Sequence, residues 1–427
     1  MMRFKTYPTM VWACGAAALL AVFVAGCDLN RLLDVSDPSR LLAEDVETPA
    51  QAGSLMNGLE SDFLCAFGSY VQVTADLSDE FEDTNSQGDS WTLDRRRPED
   101  VNSWGDNDCT ARLPSAYVPA SRARWVADNL VHLLESWTDE EVDSRQERLA
   151  RASLLAGFSA YMLGAAHCSA ALDEGPELTS MQLFAEAETR FTKALEAAQS
   201  AGLSDVQNAA RVGRARVRLF QGNDQGALSD AQAVGAGFVM NTLPSDATNR
   251  LWNRVWDANH YSFDFGVPEW SRELMTGGVV DPRTLTHDTG QDSGWSPTTV
   301  WAQEKYSSVN SPMPVARWEE AQLIIAEIQG GQTAVDIINT LRDPWGLPQF
   351  SSTDEGEIQD MVTEERRREL WFEGHRAYDI RRLNLPLFPA PGTEYQPGLK
   401  GGTYGDQTCI PMPIVESFNN KTIRGGG

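Results

Sequence analysis

Histidine is scarce. The 427 residues hold five, His132, His167, His260, His287 and His375. They are scattered and never form His-Glu-x-x-His, so a zinc hydrolase has no ligand set. A Gly-x-Ser-x-Gly elbow, a Walker loop and a dinucleotide fingerprint are also missing, which leaves serine-hydrolase, nucleotide and nicotinamide chemistry without a foothold. Bases are outnumbered, 35 Lys and Arg against 61 Asp and Glu, for a formal net charge of −26. No basic stripe is present, which excludes a nucleic-acid binder and favours neutral or cationic ligands. Six cysteines occur with no CxxC, which argues against structural zinc. No metal, no cofactor and no enzymatic activity are expected. Beyond the N-terminus no apolar run nears the ~18 residues of a membrane span.

What is present begins with a leader. Arg3 and Lys5 precede an apolar run, Val11 to Ala25, that ends in Val24-Ala25-Gly26-Cys27. This is similar to a bacterial lipobox, so residues 1–26 are expected to be a lipoprotein signal peptide and Cys27 the acylated residue. Acyl chains would then hold the chain to a membrane. The leader contains two bases and no acid, so cleavage takes the net charge to −28. Four cysteines remain, Cys65, Cys109, Cys168 and Cys409, an even number in an exported chain. Three pairings are open. Cys65 with Cys109 and Cys168 with Cys409 are expected, the first closing a polar excursion and the second tying the C-terminal segment to a helix.

Helical periodicity runs from about Pro49 to Phe81. Asp76 to Asp108 then reads as a long polar loop carrying Trp91, Asn102 and Trp104. Its Asp83-x-Asn85-x-Gln87-Gly88 with Asp94 only faintly copies a calcium loop and is read as solvated. Ala194-Leu195 and Ala227-Leu228 stand 33 residues apart, close to the period of tetratricopeptide helix pairs, so stacked pairs are expected over residues 115–236. Residues 237–311 lose all periodicity and are dense in rings, among them Trp256, Tyr261, Trp295 and Trp301. Helix returns over Pro314 to Gln329.

Glu364 to Leu383 predicts a helix with an unusual face. The apolar stripe of Ile358, Met361 and Val362 continues into Glu365, Glu369, Phe372, Glu373 and Arg376. Buried carboxylates must be paired. Partners are available within one turn, Arg368 for Glu365, Arg366 for Glu369, Arg376 for Glu373 and Asp379 for Arg376. A structural ion network is therefore expected rather than a glycosidase carboxylate pair.

The pattern Glu365-Arg366-x-x-Glu369-Leu370-x-Phe372-Glu373-Gly374-x-Arg376-x-x-Asp379-x-Arg381-Arg382 resembles the hallmark of the SusD/RagB family of outer-membrane nutrient-uptake lipoproteins. Arg317, Glu320, Leu323, Ala326 and Glu327 fit a second family helix, and Cys409-Ile410-Pro411-Met412-Pro413 with Glu416 fits the closing segment. The resemblance implies one mainly α domain over residues 27–427, a SusD-like α/α superhelix of tetratricopeptide-like helix pairs with long irregular loops. Within it, residues 312–420 would hold the hallmark and closing segment. It also implies a lipid-anchored protein at the outer membrane, facing the exterior. Such a protein would bind an oligomeric nutrient, most often a glycan, and deliver it to a SusC-like TonB-dependent transporter. Rings would stack on sugar faces, with Trp91, Asn102, Trp104, Trp256, Tyr261, Trp295 and Trp301 as the candidate contacts. The alternative is a helical-repeat module of the cell envelope that grips protein or peptide without binding sugar.

Overall fold

The computed structural model describes residues 43–425 except 87, 98–106, 110, 112, 114, 397 and 398. The leader, Cys27, Asn102 and Trp104 lie outside the described residues. Residues 1–48 and 49–427 form separate units. In the first, one turn of helix spans Ala43–Val46. Everything below concerns the second.

Helices carry the architecture, and no described strand exceeds five residues. In chain order the main ones are α1 (Ala52–Leu77), α2 (Gly88–Asp94), α3 (Tyr117–Ser136), α4 (Arg145–Ala166), α5 (Ser180–Ala201), α6 (Ser204–Phe220) and α7 (Asp224–Gln232). After the ring-rich region come α8 (Trp318–Gln329), α9 (Gly331–Arg342), α10 (Glu355–Glu369) and α11 (Arg376–Arg382). Helices α3 to α7 pack each on the next, as the repeat spacing predicts.

Small residues let them approach. Phe191 of α5 is wedged between Gly157 of α4 and Gly213 of α6, and a Cβ at either glycine would lie 2.7 or 2.5 Å from the Phe191 ring. Helix α4 has the length and apolarity of a membrane span, but its apolar stretch is a core element, buried among its neighbours. The α5 N-terminus is closed by a capping box, in which the Thr179 hydroxyl accepts from the Gln182 N–H and the Gln182 amide oxygen accepts from the Thr179 N–H. Thr179→Ala is expected to lower stability by about 1 kcal/mol, read as a lower urea midpoint at unchanged slope.

Two disulfides join distant segments. Cys65 of α1 bonds Cys109, and Cys168 just beyond α4 bonds Cys409. Backbone bonds dock the second segment, from Ile410 N–H to Ala166 O at 2.9 Å and from Cys168 N–H to Ile410 O at 2.8 Å.

Three local expectations are corrected. Met313–Arg317 is not helix but a strand paired antiparallel with Val239–Thr242, and α8 starts only at Trp318. The strand Val239–Thr242, 70 and more residues upstream, takes up this backbone, and Trp318 N–H still donates to Phe238 O at 2.8 Å.

The stretch from Asp76 to Asp94 is not a solvated loop. It completes α1, pairs Glu82–Asp83 with Phe265–Gly266, and then forms α2. Asp83 and Asp94 are buried. The Asp83 carboxylate accepts from Lys400 Nζ at 2.9 Å, and Asp94 accepts from the Asp83 N–H and the Tyr395 hydroxyl, each at 2.8 Å. Its polar groups find partners some 300 residues away, which no local reading can supply. Among the described residues no group of three such side chains is arranged to hold a metal ion.

The hallmark segment is not one helix either. It breaks after Glu369, passes a turn with Phe372 at φ 53° and Gly374 at φ 79°, and resumes at Arg376. Glycine is required in that turn, because a Cβ on Gly374 would meet Tyr70 Cε1 at 2.4 Å. The Tyr70 hydroxyl donates to the Gly374 carbonyl at 2.6 Å.

The ion network holds, but its pairs differ from the expected ones. Glu365 is bound by Arg283 (2.5 Å) and Arg342 (2.9 Å), Glu369 by Arg317 (2.6 Å) and Arg283 (2.9 Å), and Glu373 by Lys305 (2.5 Å) and Arg317 (3.0 Å). Arg366 pairs with Asp379 at 3.1 Å, Arg368 with Glu364 at 2.5 Å, and Arg376 with Asp79 at 2.7 Å. A three-residue step turns a helix by about 300°, so Arg368 sits off the inward stripe of Glu365 and Glu369. The acids that point inward therefore meet cations from other segments. The network ties the ring-rich region, through Arg283 and Lys305, to α8–α10.

Candidate ligand-binding site

The ring-rich region is positioned by its own short elements. Asn253 caps the turn at Arg254–Trp256, its side chain accepting from the Trp256 N–H at 3.0 Å. A π-helical turn follows over Asp257–Tyr261, closed by Ser262 N–H donating to Asp257 O at 2.8 Å. The wider turn brings residues five apart onto one face. Trp256 and Tyr261 stack with centroids 6.1 Å apart at 22°, and Trp252 meets Tyr261 edge-on at 5.4 Å. Tyr261 is 62% exposed, while Trp252 and Trp256 are half-buried. This is a platform with one open ring.

Histidines border it. His260 stacks on Trp256 at 6.2 Å and faces His287 at 5.9 Å. Burial lowers the His260 pKa, so the ring is neutral near pH 7. Its Nε2 lies 2.7 Å from the Gln303 carbonyl and must be the protonated nitrogen, which leaves Nδ1 an acceptor. His287 Nδ1 pairs with Glu304.

A second ring pair is made by the hairpin that carries His287. Strands Thr286–Asp288 and Trp301–Gln303 pair antiparallel, and the loop between them carries Trp295. Trp295 is 40% exposed and meets Trp91 of α2 at 5.8 Å and 37°. The Trp91 indole N–H donates to Asn85 O at 2.9 Å, and Lys400 Nζ lies 5.0 Å from its ring. A single hairpin thus carries His287 at the Trp256–Tyr261 platform and Trp295 at Trp91.

Of the candidate contacts, the structure brings Trp256 to Tyr261 and Trp91 to Trp295. Trp301 is half-buried against the core, with the Arg272 guanidinium 4.8 Å from its ring centroid. Its role is packing, because that face is already covered. Trp252, His260 and His287 complete the platform and were not among the candidates. The Trp252, Trp256, Tyr261 spacing was visible in the sequence but fits no α-helical face, and only the π turn makes it coherent.

Comparison with known proteins bears on this arrangement. Residues 294–409 match the SusD family. Over 122 residues the chain is 34% identical to SusD-like protein P2 of Formosa agariphila, a match covering 25% of this chain and 24% of that protein. The fold matches a SusD-like carbohydrate binding protein from Bacteroides vulgatus with TM-score 0.64 at 14% identity, over 88% of this chain and 98% of the other. It also matches a SusD superfamily protein from Parabacteroides distasonis with TM-score 0.63 at 13% identity, over 90% and 98%.

Proposed function

The chain is SusD-like in its C-terminal sequence and in its fold, and on that premise we propose that it is an outer-membrane lipoprotein that captures an oligosaccharide at the cell surface. It would be anchored through Cys27 after loss of residues 1–26. It would deliver the ligand to a SusC-like TonB-dependent transporter. The observation that carries the reading is two ring groups bridged by one hairpin, each with an open aromatic face, Tyr261 on the platform and Trp295 on the hairpin. Such faces suit the apolar side of a pyranose, while His260 Nδ1 supplies an acceptor for hydroxyls. Glu365, Glu369 and Glu373 are buried and each is ion-paired, so none of the three offers a general acid.

Titrating the detergent-solubilised full chain with a panel of neutral oligosaccharides tests this. Tyr261→Ala is expected to weaken the bound member about tenfold, or roughly 1.4 kcal/mol. Binding unaltered by Tyr261→Ala and by Trp295→Ala would sink it, as would a panel with no binder.

One observation favours the peptide-gripping alternative. An apolar cavity of about 470 Å³ opens between α1, α4, α6 and strand Val239–Thr242, with Leu243 71% exposed at its rim. Peptide bound there would be indifferent to the ring substitutions.

A further inference from the structure

We propose that the cavity beside the hallmark turn is a second ligand site, one that takes a carboxylate carried on a saturated ring, the chemistry of a hexuronic acid. The cavity has a volume of about 280 Å³ and is lined by Asp79, Trp270, Thr363, Arg367, Arg376 and Phe388, among others. None of these belongs to the platform at Tyr261 or the pair at Trp295.

Two rings form its apolar corner. Trp270 and Phe388 meet edge-on with centroids 5.5 Å apart at 64°, and Phe388 is 53% exposed. A ring of sugar size can lie in such a corner with its C–H face on the aromatics.

Its polar side has donors in excess. Asp79 takes two hydrogen bonds from Arg376, both 2.7 Å, and is committed to it. Arg367 is not committed. Its Nη2 donates to Ser271 Oγ at 3.1 Å and to Trp270 O at 3.5 Å, and lies 3.5 Å from Asp79, while its Nε and Nη1 have no hydrogen-bond partner among the described residues. Glu364, at the same cavity, is held by Arg368 at 2.5 Å. The Trp270 indole N–H is buried without an acceptor among the described residues. The lining carries two guanidiniums, Arg367 and Arg376, against two carboxylates, Asp79 and Glu364, so the unused N–H groups of Arg367 rather than a surplus of charge make the site. Unused N–H groups on a planar fork, beside an unused indole N–H, call for an anionic acceptor, and a carboxylate matches the fork. The Trp270 N–H is a buried donor left unmet, which is costly, so an acceptor that reaches it gains more than one at an open surface.

The inference rests on the glycan reading only in choosing a sugar to carry the carboxylate. Its test is calorimetric titration of the detergent-solubilised full chain with sodium glucuronate, against glucose and sodium acetate. Glucuronate is expected to bind at least tenfold tighter than either. Arg367→Met should weaken it tenfold or more, and Tyr261→Ala should leave it unchanged. Phe388→Ala, outside the ion network, should also weaken it, and serves if Arg367→Met fails to fold. Glucuronate that does not bind, binds no better than glucose, or binds undiminished in both variants overturns the proposal. If neutral oligosaccharides fail to bind while glucuronate depends on Arg367, the platform reading falls and this one stands. The reverse outcome rejects this one alone.

Discussion

Arg283→Ala is expected to lower stability by about 3–5 kcal/mol, because it uncovers several buried carboxylates at once. The Arg283 guanidinium binds Asp281 at 2.7 Å, Glu365 at 2.5 Å and Glu369 at 2.9 Å, and its side chain is 3% exposed. Glu365 would keep Arg342 and Glu369 would keep Arg317, so neither is wholly abandoned. Asp281 would retain the Thr276 hydroxyl at 2.6 Å and a more distant Arg368 at 3.8 Å. Both Arg283 and Arg317 hold Glu369 below the usual carboxylate range against the upward push of burial. The cost therefore falls on carboxylates that must stay ionised with half their counter-charge gone. Urea denaturation at pH 7 would read it as a lower midpoint. A shift under about 1 kcal/mol would show that the network is an ornament of the fold rather than its clamp. Arg368→Ala is the control. Its partner Glu364 is 44% exposed, so the loss should stay within about 1 kcal/mol.

Arg283 also shows what could and could not be read in the chain. That Glu365, Glu369 and Glu373 must be paired follows from their place on an apolar stripe, and each of them is. Which cation serves which acid does not follow. The true partners come from Arg283, Lys305, Arg317 and Arg342, segments whose approach only the finished fold decides. The helix pairs were legible because Ala and Gly at contact positions repeat within a single stretch. The loop from Asp76 to Asp94 was misjudged for the opposite reason. Its polar residues look solvated locally, yet they are roofed by Tyr395, Gln396 and Lys400 from the far end of the chain. The ring platform stood between these cases. Trp256 and Tyr261 could be named, but their stacking depends on a π turn that apolar spacing does not encode.

That misjudged segment produces the second large effect, a loss of stability as pH rises from 5 to 8. Burial pushes Glu80 and Glu82 up to about 7 from 4.5. Burial also raises Asp76, Asp83 and Asp94, helped by their mutual repulsion and opposed by Lys400. Both Asp76 carboxylate oxygens lack a hydrogen-bond partner among the described residues, so a retained proton is the natural state there. Each of these acids has a folded pKa above its unfolded one. Its contribution is complete below about 4 and is lost as pH climbs through the folded value, since only the unfolded chain releases the proton in between. Three histidines oppose this. Burial lowers His167 to about 4 and also lowers His260 and His375, so their contribution is complete above 6.5 and declines as pH falls. Asp79, held at about 2 because Arg376 outweighs its burial, changes nothing between pH 5 and 8. Five acids against three histidines leave a net fall with rising pH, of at least about 3 kcal/mol between pH 5 and 8. The fall is steepest around pH 6.5 to 7, where the histidines have ceased to counteract it, and eases above about 7 as Glu80, Glu82 and Asp83 finish titrating. Glu80→Gln keeps an acceptor for the Phe372 N–H, now received at 3.0 Å, and removes one titration. Urea midpoints for this variant should fall less between pH 5 and 8 than those of the parent. A parent whose stability rises over that range would mean that water reaches the Asp76–Asp94 acids, and that the segment is open rather than sealed.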